Sequence, residues 1–114
     1  MKWNVLQTQG QVDKIIERSK SKPCLIFKHS ISCPISSMAK NRVEKGWNIS
    51  EESLEVYYLD LINYRSVSNY IADVFQVEHQ SPQVLLIENG ACLFHTSHLD
   101  ITVKDIKKEL SKVA

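Results

Sequence analysis

Short continuous apolar runs in this chain alternate with segments whose apolar residues recur at helical spacing, and few architectures accommodate that rhythm. Cys24-Leu25-Ile26-Phe27 is an unbroken apolar run, the pattern of a strand buried on both faces. Ahead of it, Gln9 to Lys20 sets Val12, Ile15, Ile16 and Ser19 at helical spacing between charges, which predicts an amphipathic helix. Pro23 breaks it. Beyond the strand a loop, His29-Ser30-Ile31-Ser32, leads to Cys33-Pro34 and a second helix running to Lys45, with Gly46 as its C-terminal stop. Leu54 to Leu61 alternates and reads as a second strand. Ser66 to Phe75 reads as a third helix. Val84–Ile87 and Cys92–Phe94 flank Glu88-Asn89-Gly90-Ala91, and Asn-Gly between apolar runs is a hairpin signal. A last helix begins near Thr102, where Asp105 three residues on resembles a capping box. The order α-β-α-β-α-β-β-α predicts an α/β domain over residues 1–114, a four-stranded mixed sheet with helices on both faces.

Composition removes several alternatives. With 114 residues, 43% of them hydrophobic, a core forms without disulfides or a structural metal. The formal charge of +1 gives no electrostatic footprint for nucleic acid or an anionic membrane, so the expected partners are proteins or small molecules. Met1 to Gln9 carries Lys2, Asn4 and Gln7 and lacks the apolar stretch of a signal peptide. No apolar run approaches the ~18–20 residues of a membrane helix. These features predict a cytoplasmic protein. Three cysteines, an odd number, fit a reducing compartment better than a secreted disulfide framework. No C-x-x-C or H-x-x-x-H spacing occurs, so no metal site is expected.

Cys33-Pro34-Ile35-Ser36 stands where a buried strand gives way to a helix. Free N–H groups and the positive end of the helix dipole favour a thiolate there, and the thiolate is the nucleophile. Pro34 suits the first helical turn, because its missing N–H has no helical partner to lose. In C-x-x-C proteins the fourth position is a second thiol that resolves a mixed disulfide. Here it is Ser36, whose hydroxyl supports a thiolate by hydrogen bonding but forms no disulfide. The pattern therefore points to a monothiol mechanism, and it suits an unreactive helix-start cysteine equally well. His29, four residues ahead, is a candidate for thiolate support or for steering an anionic ligand; a polar loop histidine without such a role is the alternative. Lys28 and Arg42 add positive potential or simply face solvent. Trp3, Trp47 and Tyr57 read as packing residues. Cys24 opens the strand whose far end leads to Cys33, too far along an extended segment for a disulfide within ~7 Å between Cα atoms. Cys92 follows the Asn-Gly turn at the opposite end of the sheet. Both read as buried, inert thiols.

Several segments together resemble the monothiol bacilliredoxin family, a thioredoxin-like group of redox proteins dependent on a low-molecular-weight thiol. They are Phe27-Lys28-His29-Ser30, Ser32-Cys33-Pro34-Ile35-Ser36, Arg65-Ser66-Val67-Ser68-Asn69, His79-Gln80-Ser81-Pro82-Gln83 and Thr96-Ser97-His98-Leu99-Asp100-Ile101-Thr102. Leu99 replaces an aromatic residue frequent in the family, and Tyr64 before Arg65 is a second departure. The resemblance implies a thioredoxin-like fold and Cys33 as nucleophile. It also implies a cis-proline at Pro82 that, with Ser81, forms a groove for an extended substrate, and an ordinary trans loop proline is the alternative. The implied substrates are cytosolic proteins whose cysteines carry bacillithiol as a mixed disulfide. Bacillithiol then exchanges onto Cys33, with no permanently bound cofactor, and another thiol or a reductase resets it. Ser97, His98 and the N–H groups after Thr102 are candidates for holding the anionic part of the small thiol, and Thr102 as a plain helix cap is the alternative. Rival readings are a non-enzymatic redox sensor or adaptor capped at Cys33, a structural module with a vestigial Cys33, and a monothiol glutaredoxin. The glycine-rich run of the last class is replaced here by Ser97-His98-Leu99-Asp100. A cluster bridging two Cys33 thiols is a further rival.

Overall fold

The computed structural model describes residues 1–113. The elements in chain order are β1 (Trp3–Val5), α1 (Gln9–Arg18), β2 (Cys24–His29), α2 (Pro34–Gly46), β3 (Glu55–Asp60) and α3 (Arg65–Phe75). They continue with β4 (Gln83–Glu88), β5 (Ala91–Ser97), a 3-10 turn (His98–Asp100) and α4 (Val103–Leu110). Among the described residues the sheet has five strands in the order β1-β3-β2-β4-β5. β1 and β2 run parallel to β3, β4 runs antiparallel to β2, and β5 antiparallel to β4.

The four strands expected from the sequence are all present, and β1 is an addition. It spans three residues and adds to the free edge of β3 through the pairs Trp3↔Val56, Asn4↔Tyr57 and Val5↔Tyr58. Trp3 then packs edge-on against Phe27, ring centroids 5.7 Å apart. A second difference concerns Gly46, which belongs to α2 rather than stopping it. A Cβ at Gly46 would stand 3.4 Å from Val103 Cγ2, so the missing side chain lets α2 and the start of α4 approach closely.

The continuous apolar runs arise because both sheet faces are covered. Cys24 and Ile26 of β2 and Leu85 and Ile87 of β4 enter one core with Val12 and Ile15 of α1 and Val67 and Ile71 of α3. Their neighbours Leu25, Phe27, Val84 and Leu86 enter a second core with Ala39 and Val43 of α2 and Ile106 of α4. Period-two alternation thus divides each run between two apolar layers. Thr8 and Gln11 form a reciprocal capping box that starts α1. At its other end, buried Ser19 accepts the Asn89 N–H through its carbonyl at 2.9 Å and the Gly90 N–H through its hydroxyl at 2.8 Å. Asn89 and Gly90 have φ of 51° and 80°, the two left-handed residues that a two-residue hairpin of matching twist requires. Among the described residues no helix is long and apolar enough to cross a membrane.

Candidate functional site

β2 delivers the chain to Cys33 through a tight turn in which the Cys33 N–H donates to the Ser30 carbonyl at 3.1 Å. Cys33 is the N-cap of α2, extended at φ −105° and ψ 118°, with Pro34 opening the helix behind it. Its carbonyl accepts the Ser37 N–H at 3.1 Å, while its side chain makes no capping bond. The half-buried thiol therefore stands at the positive end of a 13-residue helix. Exposed Ile31, Ile35 and Met38 surround it in sequence.

Ser36, at the fourth position of the motif, is completely buried. Its Oγ accepts the Ser30 N–H at 3.0 Å and stands 2.6 Å from His29 Nδ1. The hydroxyl thus fastens the first turn of α2 to the end of β2. His29 is itself buried, its ring 5.6 Å from Tyr58 and 6.3 Å from Phe27 by centroids. Burial first, and then the nearby Lys40 ammonium, hold the His29 pKa below the usual imidazole value. At neutral pH the ring is uncharged and reaches the motif through Ser36.

The Ser81–Pro82 peptide bond is cis. The next residue, Gln83, pairs with Lys28 near the C-terminal end of β2, which sets Pro82 at the end of the sheet from which the chain runs to Cys33. Gln83 also pairs with Ser97, and the His98 N–H donates to the Pro82 carbonyl at 2.9 Å. Ser97, His98, Pro82 and the Cys33 loop therefore share one end of the sheet. His98 has a left-handed φ of 56°, an uncommon conformation for a side-chain-bearing residue. Thr102 Oγ1 accepts the Asp105 N–H at 3.1 Å and caps α4. Arg42, which in the sequence is legible only as a charge, has a structural task. Its Nη2 donates to the carbonyls of Leu99 at 2.8 Å and Ile101 at 3.0 Å, binding the 3-10 turn to α2.

The other two thiols lie away from this end. Cys24 begins β2 and Cys92 stands near the start of β5, each paired with Ile87 of the intervening β4. Burial pushes the Cys24 thiol up to about 12 and the Cys92 thiol up to about 11. Both remain protonated at neutral pH and so are poor nucleophiles. Lys28, for which the sequence suggests a surface charge, is fully buried. The sequence does carry a signal for it: a lysine inside an otherwise apolar strand run.

The comparisons with known proteins agree with this geometry. A solved structure described as an oxidoreductase candidate with a thioredoxin fold is 32% identical, with a TM-score of 0.79, over 92% of this chain and 90% of its own. Thioredoxin from Malassezia sympodialis matches at 12% identity and a TM-score of 0.75, over 97% of this chain and 90% of that one. Thioredoxin from Trypanosoma brucei brucei matches at 14% identity and 0.74, over 98% and 90%; at such identities the likeness concerns the fold alone. A thioredoxin fold with a cysteine at the start of α2 defines the class of thiol–disulfide oxidoreductases. Within that class, residues 4–106 match the profile of the monothiol bacilliredoxin BrxC, and the chain belongs to the monothiol bacilliredoxin family.

Proposed function

We infer that this protein removes bacillithiol from mixed disulfides on cytosolic proteins by a monothiol mechanism at Cys33. The observation that carries this reading is the isolation of that thiol. Cys33 caps α2, buried Ser36 occupies the resolving position, and both other thiols sit at the remote end of the sheet with raised pKa values. In the exchange, the Cys33 thiolate attacks the bacillithiol sulfur of the mixed disulfide. The disulfide bond breaks, the protein thiolate leaves and takes a proton from water, and a Cys33–bacillithiol disulfide forms with no net oxidation. A second thiol, either bacillithiol or one supplied by a reductase, then attacks that bacillithiol sulfur and restores Cys33. Attack at the small-thiol sulfur leaves the target protein reduced. Ser97 and His98, beside Pro82, are the groups proposed to hold the polar part of bacillithiol. Thr102 caps α4 against Gly46, about 18 Å along α2 from Cys33, and acts as a plain helix cap.

Turnover tests this function. With excess bacillithiol as reductant, a catalyst releases many target thiols per Cys33. A protein that releases one equivalent and stops is a sensor or adaptor, and the proposed activity is then wrong.

A further inference from the structure

Among the described residues, Lys28 carries the one buried ammonium, and the exchange chemistry leaves it unexplained. It shares the strand parity of Cys24 and Ile26, so its side chain enters the face covered by α1 and α3. There Nζ donates to the Ser68 carbonyl at 3.2 Å and lies 3.3 Å from His79 Nδ1. Ser68 Oγ stands 3.1 Å from the same nitrogen. An ammonium has donors only, so Nδ1 is the acceptor and the His79 proton resides on Nε2. Burial and the adjacent Lys28 both lower the His79 pKa, which keeps the ring in that neutral form. Among the described residues no carboxylate pairs with Lys28. An unpaired buried charge is costly, and an apolar residue of similar length would fill the strand more cheaply.

The ammonium acts on the segment that precedes β4. His79 lies in that segment, three residues before Pro82. Gln83, opposite Lys28 on the same sheet face, donates through Nε2 to the Glu78 carbonyl at 3.0 Å. The Pro82 carbonyl is held by the His98 N–H. Two other oxygens there, Ser81 Oγ and Gln83 Oε1, are buried without a hydrogen-bond partner among the described residues. The segment is thus fixed by a few bonds, and among the described residues the Lys28–His79 contact ties its middle to the central strand.

We propose that Lys28 is a positioning residue for protein substrates: through His79 and Ser68 it holds the Glu78–Gln83 segment in the shape that receives the substrate backbone beside Pro82. The role rests on the exchange reaction proposed above. It separates substrates by size, because a small disulfide reaches Cys33 without pairing to this segment, whereas a peptide disulfide needs it.

The test compares two probes: a cysteine-containing decapeptide capped with bacillithiol, and a small aromatic disulfide. Lys28→Met is expected to raise KM for the peptide about tenfold, the order of one lost charged hydrogen bond. Its kcat stays within about threefold, and its rate with the aromatic disulfide changes by less than about twofold. His79→Leu should act alike, and His79→Gln, which restores an acceptor, should recover part of the loss. Equal losses on both probes, or none on either, overturn the positioning role. A wild-type protein that reacts with neither probe refutes the exchange function itself, and the positioning role with it. If Lys28→Met fails to fold, the two His79 variants decide between the same outcomes.

Discussion

Replacing Lys28 by methionine removes a charge that burial disfavours, and its effect on stability has a definite sign and pH window. Burial lowers the Lys28 pKa from 10.5 to about 8. Below pH 8 the lysine is charged in both states and the folded state bears the full desolvation penalty. Between pH 8 and 10.5 the folded state binds fewer protons than the unfolded state, so stability rises with pH. At ~1.4 kcal/mol per unit, the shift caps this gain at roughly 3 kcal/mol. Methionine also forfeits the bonds to Ser68 and His79, although His79 Nδ1 keeps the Ser68 hydroxyl. Lys28→Met is therefore expected to exceed the wild type by about 1–2 kcal/mol at pH 7, with the advantage shrinking steadily above pH 8. Cys24 and Cys92 act in the opposite direction. Their thiols are raised from 9.0 to about 12 and about 11, so each stabilises the fold below pH 9 and loses that contribution at higher pH. Both cysteines are present in the two proteins, so their effect cancels in the difference. Urea titrations of the reduced proteins at pH 7, 8 and 9 measure it. A variant less stable than the wild type at pH 7, or a difference independent of pH, would refute the reasoning.

Other substitutions probe separate parts of the account. Ser36→Ala leaves the Ser30 N–H and His29 Nδ1 without their partner and should cost about 1–3 kcal/mol in denaturant titration. On acidification from pH 7 to 5.5 the fold should lose stability. His29 and His79 both have lowered pKa values, so the unfolded state takes up protons first, from ~6.5 downward. His79→Gln should flatten that slope in parallel titrations. Thr102→Ala removes the α4 cap and should cost about 1 kcal/mol. By contrast, Ser97→Ala and His98→Asn, the latter tolerant of a left-handed φ, should weaken bacillithiol binding in calorimetry while leaving the fold intact.

The legible parts of the fold are those written in local chemistry. Asn89-Gly90 occupies two left-handed positions, Thr102 caps α4, and the runs at Cys24 and Val84 are buried on both faces. β1 is not legible, because Trp3-Asn4-Val5 is too short to show a period and forms only on the edge that β3 offers. Gly46 is ambiguous, because a glycine that stops a helix and one that admits a neighbouring helix look alike in sequence. At the site, Cys33 and Pro82 stand out by their places before a helix and before a strand. The orientation of Ser36 does not, since its partners His29 and Ser30 are reached only when the loop folds back on the helix. The role of Lys28 is hidden for the same reason: Ser68 and His79 lie 40 and 51 residues away.

The most direct test of the central claim is intact-mass analysis of the reduced protein, and of Cys33→Ala, each mixed with a bacillithiol-capped test protein. Release of the target thiol with one bacillithiol appearing on Cys33, and neither event in the variant, is the predicted result. Release by the variant, or a bacillithiol adduct on Cys24 or Cys92, would contradict the assignment of Cys33 as the working nucleophile.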